Sequence, residues 1–310
     1  MLRSILAFVL APLIFLGPSA MLAQEQSGLH SAGRLDLLEV QNQDSLWIYQ
    51  YRITNISQNR WAISGFFLDL SAPSGTRHRT LPATGPFRDW HGDGVRVPSR
   101  DHVPVGPISP ETWGTVLRVD ASLLWYGTTG GVIDNDSIAP GTSLAGFGLR
   151  SPYLPGTRQF WAEPTWQACC SEPGPDPETG LPGEEHPGTD EFRQSGWTVG
   201  PTRAPDEMSD PYNALGIVLG YIRNTCDISW ITNPGICNSL RTKLEQARRA
   251  LERGNNEAAT GQLQAFLNEL EAQRGDEPGK HVNDNAYWLL KVNVEFILER
   301  IGDDPAVVRR

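Results

Sequence analysis

The hydrophobic period of this chain changes once, near Asp210, and that change restricts the fold more than any other feature. Before it, apolar residues recur at every second position. In "SLWIYQYRITNIS", Trp47, Tyr49, Tyr51 and Ile53 fall on one side, and Leu46, Ile48 and Arg52 on the other, the alternation of a half-buried strand. After it, Leu215, Val218, Leu219 and Ile222 recur at three- and four-residue intervals, as one stripe of a helix does. Strand periodicity followed by helix periodicity predicts an α+β chain of two domains: an antiparallel β-sandwich, then a small four-helix bundle.

Further strands are read in "GRLDLLEVQ", "WAISGFFLDLS", "TVLRVDASLLWYG", "SLAGFGLRS", "TRQFWAEPTWQA" and "FRQSGWTVGP". Asn42-Gln43-Asp44 is expected to turn the first hairpin. Pro and Gly crowd the stretch from Pro73 to Pro110, which reads as long loops with one short strand at Val95-Arg96-Val97. "EPGPDPETGLPGEEHPGTD", from Glu172 to Asp190, carries too little apolar surface to join a core and is expected as a surface loop.

The N-terminus reads as an export signal. Arg3 supplies the positive start, "ILAFVLAPLIFLG" the apolar run, and Met21-Leu22-Ala23 the small-residue end, so cleavage is expected after Ala23. The run is shorter than the roughly 20 residues of a membrane span, and Pro12 and Pro18 interrupt it. No later segment is apolar enough to cross a bilayer. The expected organisation is signal peptide 1–23, β-sandwich with long loops 24–202, linker 203–209, helical domain 210–302 and tail 303–310. All three lysines, Lys243, Lys280 and Lys291, lie in the helical part, which marks the same boundary by composition. A net charge of −10 argues against nucleic acid as a partner, because a phosphate backbone needs a basic face.

Four cysteines suit an oxidising compartment and allow three pairings. Cys226 and Cys237 flank "DISWITNPGI" and are expected to form a local disulfide. The state of the adjacent Cys169 and Cys170 stays open, since a bond between neighbours strains the peptide. No second C-x-x-C pair or nearby histidine supports a zinc site there.

Four helices are expected. Ser209 or Asp210 caps the first, with Pro211 at its first position. The second starts near Cys237 or Asn238, carries Leu240, Leu244, Ala247 and Leu251, and stops at Gly254. Asn255 or Asn256 caps the third, with Ala259, Leu263, Phe266, Leu267 and Leu270 inward. Asn283 or Asp284 caps the fourth, with Ala286, Leu289, Leu290, Val294, Ile297 and Leu298 inward. "SLRTKLEQARRALERGNNEAATGQLQAFLNELEAQRG" followed by "GKHVNDNAYWLLKVNVEFIL" resembles the FIMAH domain. The likeness rests on Leu240, Lys243, Leu244, Gly254-Asn255, Ala258-Ala259, Leu263, Phe266 and Asn268, and extends through Gly275, Gly279-Lys280, Ala286, Leu290 and Ile297. The extra "DEP" after Gly275 and Asn293, where a small apolar residue is expected, depart from that pattern. The resemblance implies a helical module at the C-terminus of a secreted bacterial protein. It brings no catalytic residues with it.

The densest polar cluster is "DWHGDGVRVPSRDH", with Asp89, His91, Asp93, Asp101 and His102. These residue types can ligate calcium or another divalent metal, and they equally serve solvated turns. Asp134 and Asp136 pose the same choice. No nucleophile, zinc-protease, P-loop or dinucleotide signature is present. Of ten tryptophans, Trp47 and Trp125 alternate with strand apolars and read as core. Trp90, Trp113 and Trp166 sit beside Pro, Gly and Asp and are the candidates for stacking on a ligand. The sequence therefore favours a secreted, non-enzymatic protein without a cofactor. Its structural or binding role would be directed at an extracellular protein or polysaccharide. The alternative is an extracellular hydrolase acting from the loops around Asp89–His102.

Overall fold

The computed structural model describes residues 33–56, 62–71, 103–118, 121–127, 137–164 and 194–302. Nine strands come first: β1 (Gly33–Gln43), β2 (Leu46–Asn55), β3 (Ile63–Asp69), β4 (Gly106–Ile108), β5 (Trp113–Leu117), β6 (Ser122–Gly127), β7 (Ser143–Ser151), β8 (Leu154–Pro164) and β9 (Gln194–Arg203). They form two antiparallel sheets, β1-β2-β7-β4 and β5-β6-β3-β8-β9. A 3-10 turn at Pro205–Met208 leads into α1 (Pro211–Asp227), α2 (Pro234–Glu252), α3 (Asn256–Gln273) and α4 (Asp284–Gly302).

The predicted α+β architecture is present, with local differences. The first hairpin turns at Asp44 and Ser45, both at positive φ (53° and 65°), and not at Asn42-Gln43-Asp44. A two-residue turn of this hand matches the twist of the strands it joins. The strand β4 lies within the stretch read as loop; at three residues it is too short to leave a period. The expected strand at Val95-Arg96-Val97 lies outside the described residues. Residues expected as linker are ordered: Arg203 ends β9, and Met208 is fully buried. Helix α2 starts three residues earlier than Cys237, because Asn233 caps it by accepting from the Gly235 and Ile236 amides, with Pro234 at the first position.

Aromatic rings fill the space between the sheets. Phe66 stacks on Trp125 at 4.9 Å and meets Phe147 edge-on at the same distance. Trp113 also meets Phe147 edge-on. Tyr49 and Tyr51 are fully buried, and their hydroxyls donate to the carbonyls of Tyr153 (2.6 Å) and Val199 (2.9 Å). The Arg158 guanidinium is buried with them. Its Nε and Nη2 donate to the Pro201 carbonyl and its Nη1 to the Ser71 carbonyl. Buried polar groups need such partners: the Tyr51 bond ties the two sheets together, and Arg158 ties β8, β9 and the end of β3 within one of them.

The bundle is ordered by its caps. Asp210 accepts from Tyr212, Asn255 from Ala258 and Asn283 from Ala286. At the end of α2, Gly254 takes φ +68°, and the amides of Gly254 and Asn255 donate to the carbonyls of Leu251 and Ala250. This is the pair of bonds that closes a helix through a left-handed glycine. Lys243 and Ser239 of α2 both reach Glu269 of α3. Cys226 and Cys237 are bonded, tying the end of α1 to the start of α2. Arg248 lies over the Tyr212 ring at 4.2 Å, while Glu245 sits between Arg241 and Arg249.

Helix α4 joins the bundle to the sandwich. Strand β1 is the end strand of its sheet, and its register with β2 slips at Leu38. The Asn285 side chain accepts from the Leu37 amide at 2.7 Å and donates to the Leu35 carbonyl at 3.4 Å. One side-chain amide thus makes the two bonds a neighbouring strand residue would make. The Trp288 indole donates to the carbonyl of the bulged Leu38 at 2.6 Å, and Asn293 donates to the Pro155 carbonyl of β8 at 2.9 Å. Leu35, Leu37, Leu289, Leu290 and Val294 are all fully buried in one continuous apolar core.

Three outcomes are expected. Asn285→Ala leaves a buried N–H and a buried carbonyl unpaired and should cost about 2–4 kcal/mol, read as a lower urea midpoint. The exposed Gln264→Ala should stay within about 0.5 kcal/mol of the parent. Replacing Cys226 and Cys237 together by Ser reopens a short loop and should cost roughly 2–3 kcal/mol, measured the same way on non-reduced protein.

Candidate functional site

The residues singled out from the sequence divide sharply. Asp89, His91, Asp93, Asp101, His102, Trp90, Trp166, Asp134, Asp136, Cys169 and Cys170 lie outside the described residues. Trp113 is described, and the expectation that it offers a face to a ligand is corrected. It opens β5 with its side chain fully buried, against Phe66 (6.2 Å) and Phe147 (4.9 Å). The Pro and Glu before it belong to a turn in which the Trp113 amide donates to the Pro110 carbonyl. That turn delivers the ring inward, so neighbouring turn residues were a poor guide to its exposure.

Three polar places emerge from the folded chain. The first is the interior around Arg158. Burial lowers the Arg158 guanidinium from its ordinary value, with Asp69 opposing. Burial likewise raises Tyr49, Tyr51 and Tyr221. The phenols therefore keep their protons across the physiological range. The Tyr49 and Tyr51 hydroxyls donate to backbone carbonyls, so these two phenols serve as internal braces.

The second place is the outer end of the joint. Arg274 pairs with Asp284 at 2.8 Å and lies over the rings of Tyr287 (4.1 Å) and Trp288 (5.1 Å). The Tyr287 hydroxyl donates to Glu271. Burial, then Glu271, pushes that phenol up to about 12. These charges and rings hold α3 and α4 against each other beside the β1 bulge.

The third place is the outward face of β8 and β9. Arg158, Phe160 and Ala162 of β8 point into the sandwich and are buried, so by alternation Thr157, Gln159 and Trp161 point out. On β9, Thr198 is buried opposite Arg158, and Trp197 points out opposite Gln159. Trp161 stands opposite Ser195 of β9 and Phe67 of β3. Phe67 is buried with Arg118 over its ring, so the open part of the face lies toward Trp197, the diagonal neighbour of Trp161 across the ladder. Trp197 is 49% exposed. Gly196 makes room for this arrangement, because a Cβ there would lie 2.6 Å from the Phe160 ring. The ring can lie flat on β9 from inside while the indoles occupy the outside. The sequence did hold a signal for this face. Phe160 and Trp161 are adjacent in one strand, so one of the two rings has to face outward.

A shallow groove of about 370 Å³ lies at the end of the sandwich, lined by Pro110, Glu111, Ile138, Ser143 and Leu144 among others. The Ser143 hydroxyl is engaged with Thr54. Among the described residues, no group of three or more His, Cys, Asp or Glu is placed to hold a metal ion, and no helix is long and apolar enough to cross a membrane.

No curated protein matches the chain. The strands carry no family assignment. Together with the Cys226–Cys237 disulfide, a match of residues 224–299 to the FIMAH domain is consistent with a protein that acts at the cell surface or outside the cell. Residues 224–299, from the last turn of α1 through α2 and α3 and most of α4, match the FIMAH domain, so the helical C-terminal region is identified as one.

Proposed function

We propose that this protein has a non-enzymatic, ligand-binding role outside the cell. In this reading the sandwich of residues 24–202 presents the binding face to an extracellular protein or polysaccharide, and the FIMAH region from 210 to 302 braces it. The observation that carries the reading is the outward pair on β8 and β9. An indole that is 49% exposed on a regular strand forgoes burial that folding favours. Its neighbours place a second indole and a side-chain amide beside it. Exposed aromatic surface rimmed by polar groups is characteristic of contact sites. Rigid backing favours binding, because less conformational freedom is lost when a ligand seats. The Arg158 bonds to Pro201 and the Asn293 bond to Pro155 supply that backing.

The test uses the full chain after export, immobilised through its C-terminus. It is exposed to solubilised envelope proteins and to soluble polysaccharides in parallel, and hydrolysis of the same polysaccharides and of model esters is followed. Saturable retention of one component, with no turnover, is the expected result. Turnover that disappears in the triple variant Asp89→Ala, His91→Ala, Asp93→Ala would contradict the reading and move the function to the loops.

A further inference from the structure

We infer that the outward face of β8 and β9 binds a neutral carbohydrate chain, with Trp161 and Trp197 as stacking platforms and Gln159 between them. This rests on the binding reading above and names its ligand class. Three features of the face favour such a ligand.

The first is the state of its hydrogen-bonding groups. Trp125 and Trp288 donate their indole N–H to the carbonyls of Ile108 and Leu38. Among the described residues, the indole N–H groups of Trp161 and Trp197, the Gln159 amide and the Ser195 hydroxyl make no such contact. An indole N–H only donates, a side-chain amide donates and accepts, and a hydroxyl does both. The face therefore offers mixed donors and acceptors beside two aromatic surfaces. A pyranose ring has the matching chemistry. Its axial C–H groups form an apolar face that lies against the electron-rich indole, while its equatorial hydroxyls project sideways to donate and accept.

The second feature is charge. Thr157, Gln159, Trp161, Ser195 and Trp197 are all neutral, on a chain with a net charge of −10. The chain's net charge of −10 works against a polyanion, and a cationic segment finds no carboxylate among these five side chains. A neutral polymer meets neither obstacle.

The third feature is geometry. The two indoles stand on adjacent strands in diagonal register, with Gln159 directly opposite Trp197. Diagonal neighbours on one sheet face lie about 7–8 Å apart, so successive sugar rings of an extended chain can contact both. Both strands are held from inside, by Arg158 bonded to Pro201 and by Phe160 seated on Gly196. The platforms thus need little rearrangement on binding.

Affinity gel electrophoresis of the full chain in mixed-linkage β-glucan, glucomannan and xyloglucan, with alginate as the anionic comparison, tests this. Retardation in at least one neutral polymer and none in alginate is expected. Trp197→Ala and Trp161→Ala should each weaken it at least tenfold, Gln159→Ala about threefold, and Trp197→Phe should retain most of it. Because Trp161 is half-buried, its variant counts only alongside an unchanged thermal midpoint. Trp197→Ala and quenching of wild-type fluorescence by the polymer provide the independent readout. Absence of retardation in all three neutral polymers, or retardation untouched by Trp197→Ala, would overturn the assignment. If the protein instead retains an envelope protein and ignores the glycans, the carbohydrate assignment fails while the binding reading stands.

Discussion

The free edge of β1 is the constraint on which the rest of the structure depends. An end strand presents backbone N–H and C=O groups that must find partners or invite another chain. Here the Leu37 amide and Leu35 carbonyl are taken by one side chain, Asn285, and the carbonyl of the bulged Leu38 by Trp288. Helix α4 can do this only if it lies along the strand in one orientation. That orientation is in turn held by Asn293 on the Pro155 carbonyl and by the buried row Leu289, Leu290 and Val294. The helical region thus completes the sandwich, and the sandwich buries a face of α4 that the other three helices leave uncovered.

The same economy of polar groups shapes the two faces of the β5-β6-β3-β8-β9 sheet. Inside, Arg158 and the tyrosines direct their donors to backbone carbonyls, and burial keeps the phenols protonated. Outside, Trp161, Gln159 and Trp197 hold donors and acceptors that meet no side-chain hydrogen-bond partner among the described residues. A side chain that braces the structure has found its partner within it. One that meets a ligand leaves that partner to be supplied. The division falls strand residue by strand residue along β8, through the alternation 157, 159, 161 against 158, 160, 162.

Much of this was legible in the sequence. The period change at Asp210, the caps narrowed to Ser209 or Asp210, Asn255 or Asn256 and Asn283 or Asp284, the stop at Gly254 and the Cys226–Cys237 pair are local signals, and local signals survive folding. The start of α2 is set by Asn233-Pro234, a local signal stronger than the apolar stripe that points to Cys237 or Asn238. Trp113 is not legible as core because its neighbours in sequence are turn residues while its neighbours in space are Phe66 and Phe147. Asn293 stood out as a departure from the FIMAH pattern, and only the docked strand gives it a reason: its amide reaches Pro155, far away in sequence. The adjacent Phe160 and Trp161 mark one outward ring in the sequence, but that Trp197 shares its face depends on strand pairing, which no local window contains.

The central claim is that helices and strands share one cooperative core through α4. It is tested most directly by urea unfolding of the full chain with two probes, far-UV circular dichroism at the helical minimum and tryptophan emission dominated by the sandwich. Coincident curves with a single midpoint are the result expected of one cooperative unit. Two separated transitions, with the helical signal lost at a midpoint of its own, would contradict it.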